Sequence, residues 1–171
     1  MNSKIVLVNI LRWFILLFIQ IILLRNLSLY SLSTPFVYIL FLLLLPFGIP
    51  NLLLYLIAFA TGLTLDAFYD TLGVHTAACV TLAFVRISFI AVTVNRDNFD
   101  EPEPTLGNMG LKWFSFYAVL CIIAHHLVLF FLETFRLTEF GYTIVRCLLS
   151  AAFSFFLILL IEFLFYNRKA R

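Results

Sequence analysis

"STPFVYILFLLLLPFGIP", residues 33–50, is the stretch on which the fold turns. It opens with Ser33, Thr34 and Pro35, a helix start in which Thr34 serves as cap and Pro35 takes the first helical position. It closes with Pro46, Gly48 and Pro50, which stop a helix. The uninterrupted part is short. About 13 residues at about 1.5 Å rise cover about 20 Å, against a hydrocarbon core of about 30 Å. Such an element must be extended upstream through Tyr30, lie in a thinned bilayer, or be a broken piece buried inside protein.

The flanking sequence makes the bilayer the relevant solvent. Of 171 residues, 64% are hydrophobic and 12% charged, and the mean hydropathy is +1.09. Soluble domains carry about 25% charged residues. The apolar residues come in runs of helical-span length, which selects an all-α integral membrane protein over an outer-membrane barrel. Spans are expected at residues 5–24, 33–47, 50–69, 74–94, 111–132 and 142–165, six transmembrane helices in one domain. No small-residue cleavage site follows the first span, so it is read as retained. Residues 95–110, "NRDNFDEPEPTLGNMG", form the one long polar loop. A net charge of +2 is too small to suggest nucleic acid or a polybasic lipid switch, and no nucleic-acid partner is expected. Cys79, Cys121 and Cys147 lie far apart in apolar runs and read as free packed thiols.

Six spans place both termini on one side. With a cytoplasmic N-terminus the inner segments carry Lys4, Arg96, Lys112, Arg168, Lys169 and Arg171, and the outer connectors carry Arg25 and Arg136. That excess of inner cations selects cytoplasmic termini in an inner, plasma-type membrane. The acidic cluster Asp97, Asp100, Glu101 and Glu103 then faces the cytoplasm, as a solvated connector or a dock for a basic partner.

Ionisable groups within spans are costly and normally have partners. Arg12 and Glu162 fall at similar depth and are expected to pair, with snorkelling of Arg12 as the alternative. Gly62, Asp66 and Asp70, each four residues apart, form one stripe on the third span. Asp66 leans toward Arg86 of the fourth span, and Asp70 either meets His75 or caps that span. A docking notch for a partner helix at Gly62, Asp66, Asp70 and His75 is one use of this hairpin.

The same stripe matches half of the phosphatidyltransferase motif whose carboxylates hold a divalent metal. The other half is absent, since its positions carry Leu45, Gly48, Ile49, Leu52 and Leu53. Two carboxylates do not make a metal cage for phosphate chemistry. His125 and His126 are adjacent and point about 100° apart on a helix, so they do not chelate one ion as an i, i+4 pair would. No metal, cofactor or catalytic residue is expected. The alternative function class is the substrate-binding subunit of an energy-coupling-factor vitamin transporter, which has this size and span number. Against it, the first span lacks small residues at four-residue spacing, and convergent polar groups are few.

In order and spacing, "RNLSLYSLSTPFVYILFLLLLPFGIPN", "GLTLDAFYDTLGVHTAACVTLAFVR", the polar loop, "HHLVLFFLETF" and the basic tail resemble the MreD family of rod shape-determining membrane proteins. The resemblance covers nearly the whole chain. It implies a fold like that of the vitamin-binding subunits and a non-enzymatic place in the bacterial cell-elongation machinery. The implied partners are MreC and, through it, MreB, RodA and a penicillin-binding protein, together with membrane lipid.

Overall fold

In the computed structural model, residues 3–27, 33–94, 103–134 and 140–166 are described. Helix α1 is Ser3–Phe18, and its winding widens to π-helical over Ile19–Leu24. The remaining helices are α2, Ile39–Leu43; α3, Asn51–Tyr69; α4, Val74–Thr93; α5, Leu106–Met109; α6, Leu111–Thr134; and α7, Phe140–Leu164. Among the described residues five helices are long and apolar enough to cross a membrane: Ser3–Leu24, α3, α4, α6 and α7. Every regular element among the described residues is helical, as in an all-α, multi-pass membrane protein. The three cysteines are free and buried.

Residues 33–47 do not form a sixth spanning helix. Only Ile39–Leu43 is α-helical, and residues 35–46 are buried throughout. Of the three solutions to a short span, the broken, buried one is observed. The composition explains it: Phe36 through Leu45 is apolar in every register, so no face prefers lipid over protein, and the piece is enclosed on all sides. Helices α3, α4, α6 and α7 pack in chain order, and α1, α4 and α6 lie against the short α2.

Non-helical backbone inside a bilayer needs partners for every N–H and C=O. Gln20, in the widened turn after α1, supplies two at once. Its amide Nε2 donates to Pro35 O at 3.1 Å and its Oε1 accepts from Val37 N at 2.8 Å, mimicking a neighbouring strand. From the opposite side, Thr34 N donates to Ser150 Oγ at 3.0 Å and Phe36 N to Ser154 Oγ at 2.8 Å. The registers match. Two extended residues advance about 6.6 Å and four helical residues about 6.0 Å, so hydroxyls at i and i+4 of α7 meet alternate N–H groups of the extended piece.

At the other end the last carbonyls of α2 have no intrahelical N–H donors. Tyr117 Oη donates to Leu43 O at 2.9 Å, Arg12 Nη1 to Leu44 O at 3.4 Å, and Arg86 Nη2 to Leu45 O and, at 3.4 Å, to Pro46 O. Because residues 35–37 lie beside Gln20 and residue 44 beside Arg12, the buried piece runs antiparallel to α1.

The Gln20→Leu variant orphans Pro35 O and Val37 N in an apolar interior. At about 1–3 kcal/mol per group, a loss of about 2–6 kcal/mol is expected in the unfolding free energy of detergent-solubilised protein, read from denaturant titration. A loss under about 0.5 kcal/mol, the range of neutral surface changes, contradicts this role for Gln20.

Candidate functional site

The sequence singles out the α3–α4 hairpin, and the structure shows what its carboxylates hold. Helix α3 ends at Asp70, whose φ of 56° is left-handed, a conformation that Asp tolerates better than most side chains. Gly73, at φ 82°, then starts α4 from a second left-handed position. These two reversals fold the N-terminus of α4 back over the last turn of α3, onto Asp66.

Asp66 is the cap of α4, supplied from the preceding helix. Its Oδ1 accepts from His75 N at 2.9 Å, His75 Nδ1 at 3.2 Å and Thr71 Oγ1. Its Oδ2 accepts from Thr76 N at 3.0 Å and Thr76 Oγ1 at 2.6 Å. Both oxygens are saturated, and the residue is 4% exposed. A carboxylate at a helix N-terminus also meets the positive end of the helix dipole. Gly62, one turn earlier, lets the helices approach: a Cβ there would lie 2.7 Å from Thr76 N and 2.8 Å from His75 O, both backbone atoms. The close approach is therefore used by the chain's own α4.

Three expected pairings are corrected. Asp66 does not meet Arg86: Arg86, 2% exposed, points to the carbonyls of Leu45 and Pro46 at the end of α2. The short broken piece needed a cation more than the already capped Asp66 did. Asp70 pairs with Arg25 at 3.6 Å, while His75 binds Asp66; the left-handed turn swings the Asp70 side chain out, leaving it 89% exposed. Arg12 and Glu162 take separate partners. Arg12 Nη2 bonds Glu103 Oε2 at 3.2 Å, and Glu162 Oε2 accepts from Leu106 N at 2.7 Å, the first residue of α5. Glu103, three residues before α5, also accepts from Asn9 Nδ2 at 3.0 Å, so Arg12 and Glu162 hold two points of one short stretch, residues 103–106. Of the acidic loop, Glu103 thus belongs to this half-buried tie, and Asp97, Asp100 and Glu101 lie outside the described residues, as do Arg96, Arg136 and the basic tail.

The histidines complete the interior. His125 Nε2 lies 2.6 Å from the Tyr38 hydroxyl of the buried piece. His126 Nδ1 donates to Ile122 O at 2.8 Å, so its Nε2 is the acceptor for the Ser154 hydroxyl at 3.2 Å. Ser154 in turn receives Phe36 N–H, which makes a continuous line from α6 through α7 to the buried backbone. Phe36 sits among the rings of His75, His125 and His126, with centroids 5.4–6.1 Å away. Among the described residues no group of three or more His, Cys, Asp or Glu is arranged to hold a metal.

Gln20, Tyr38, Tyr117, Ser150 and Ser154 carry this arrangement and are missed by a search for charged clusters. The available signal was the shortness of residues 33–47, which implies orphan backbone groups and hence polar neighbours on the spans. Compared with family models, curated proteins and solved structures, the chain matches none.

Removing the cap is the direct test of this hairpin. Asp66→Ala strips five charge-assisted hydrogen bonds and is expected to cost about 3 kcal/mol of unfolding free energy, with Asp66→Asn intermediate. Equal midpoints for wild type and Asp66→Ala contradict the capping role.

Proposed function

We propose that this chain is a non-enzymatic membrane subunit of the bacterial cell-elongation machinery, one that binds MreC and helps organise MreB, RodA and a penicillin-binding protein around it. The basis is the ordered set of segments that resemble MreD. The structural observation that supports an assembly role over polar-ligand transport is the use of the interior polar groups. Gln20, Arg12, Asp66, Arg86, Tyr117, Ser150 and Ser154 all bond the chain's own backbone. A transporter pocket needs such groups turned toward a ligand; a rigid scaffold spends them on itself.

In this reading residues 33–50 form a sixth, broken crossing. Both termini then lie in the cytoplasm of an inner-membrane protein, where the inner cations outnumber the outer ones. The docking notch is relocated from buried Asp66 and His75 to the rim beside them. There Asp70 and its partner Arg25 are exposed, and Leu72 stands fully in solvent at the tip of the turn. An exposed ion pair contributes about 0–1 kcal/mol to folding, so it is free to exchange for a partner's charge.

Asp70→Asn keeps a residue that tolerates the left-handed turn and removes the charge. Co-purification of MreC from cells is expected to fall with Asp70→Asn and Leu72→Ser while helix content is unchanged. Full recovery of MreC with both variants rules out this rim as the dock. Reporter fusions at the two termini are expected to report the same, cytoplasmic side, and opposite sides would defeat the six-crossing topology.

A further inference from the structure

Gln20 and Arg25 share one seat on α3. Gln20 Nε2 donates to Tyr69 Oη at 3.0 Å, the Arg25 guanidinium lies over the Tyr69 ring at 5.5 Å from its centroid, and Arg25 Nη2 reaches Asp70 Oδ2 at 3.6 Å. In an α-helix, at about 100° per residue, side chains five apart point about 140° away from each other. The winding between the two residues removes this conflict. Ile19–Leu24 is π-helical, and a π-turn closes on residue i+5 instead of i+4, which carries Arg25 round to the face of Gln20.

The two sides of this turn are held unequally. Up to Gln20, the first helix is tied through Arg12 to Glu103, through Trp13 to Thr61 and through Gln20 to Pro35 and Val37. Past the turn the ties are those of Arg25 to Tyr69 and Asp70, where 41% of the Arg25 side chain and 89% of the Asp70 side chain are exposed. Exposed ion pairs and cation–π contacts are weak and exchange readily. Within the turn Ile22 and Leu23 are exposed, so few protein contacts oppose rewinding. Rewound as α, the turn swings Arg25 by roughly a quarter of a revolution about the helix axis, off Tyr69 and Asp70, and its long stem lets the guanidinium stay in water at the end of the span.

We propose that the π-turn Ile19–Leu24 is a two-state joint. Wound as π, it seats Arg25 on Tyr69 and Asp70; wound as α, it withdraws Arg25 and frees the Asp70 carboxylate for a cation on a partner segment. That cation binds the second state better, because Arg25 no longer competes for Asp70, and this differential affinity is what a shift of population requires. Gln20 keeps its hold on Pro35 and Val37 in both states, so the rim opens without disturbing the buried piece. That a partner docks at the rim rests on the function proposed above, whereas the joint is a property of this chain alone.

The test is the distance between nitroxides at Asn26→Cys and Leu72→Cys, both exposed, measured by electron paramagnetic resonance on the full chain in dioleoylphosphatidylcholine vesicles; the three native cysteines are buried and stay in place. Asp70→Asn, which removes a tie of the π-wound state, is expected to raise the population of a second distance about two- to fivefold, the range an exposed ion pair supplies. Deletion of Ile22 leaves Gln20 and Arg25 four residues apart, about 40° apart on one face of a plain α-helix, so Arg25 stays seated with no joint to rewind. In that background Asp70→Asn is expected to leave one distance. Arg146→Gln, which breaks the exposed pair with Glu133, is expected to change nothing. If circular dichroism shows that the Ile22 deletion has lost helix, deletion of Leu23 takes its place. An unchanged distribution in Asp70→Asn, an equal second population in the deletion background, or the same shift from Arg146→Gln overturns the joint. No partner protein is in the sample, so these outcomes leave the dock untouched, and full MreC recovery beside a working joint defeats the dock alone.

Discussion

A backbone that is not helical has nowhere to put its N–H and C=O groups in hydrocarbon, and residues 33–46 impose that problem on the rest of the molecule. Each orphan group would cost several kcal/mol in a lipid interior. The chain answers with side chains drawn from four spanning helices: Gln20 and Arg12 of the first, Arg86 of α4, Tyr117 of α6, and Ser150 and Ser154 of α7. The helices are thereby arranged around one buried piece. Between lipid-bathed helices there is little hydrophobic drive to associate, so these hydrogen bonds, with packing, fix which faces turn inward.

The two ends of the piece ask for opposite chemistry and receive it. Near Pro35 the free groups include the N–H of Thr34, Phe36 and Val37, and they meet the oxygens of Ser150, Ser154 and Gln20. Near Pro46 the free groups are carbonyls at the end of α2, and they meet a phenol and two guanidiniums. Arg86 is the extreme case. At 2% exposure it gives its Nη2 to two carbonyl dipoles, an arrangement that a planar, weakly hydrated cation tolerates better than an ammonium does.

Runs of apolar residues made the five long helices legible, because length and composition alone decide whether a helix crosses hydrocarbon. Residues 33–47 were legible as a problem, through Pro35, Pro46 and insufficient length, but not as a solution, since which polar residues serve it depends on how distant helices pack. The hairpin was misread for a definite reason. A four-residue stripe of Gly62, Asp66 and Asp70 gives the face, not what covers it. Two left-handed residues, Asp70 and Gly73, laid α4 over Asp66 and turned Asp70 outward, so neighbours on one stripe ended in opposite environments.

The same accounting explains why α1 is held differently from the other helices. Within its most apolar window 22% of residues are buried, against 44% in α6. Its position is set by polar ties at more than one depth: Arg12 and Asn9 to Glu103, Trp13 to Thr61, and, further along, Gln20 to Tyr69 and to residues 35 and 37. Ties at several depths fix both the tilt and the rotation of a helix, whereas an apolar face exposed to lipid fixes neither, since lipid solvates every rotamer of that face alike.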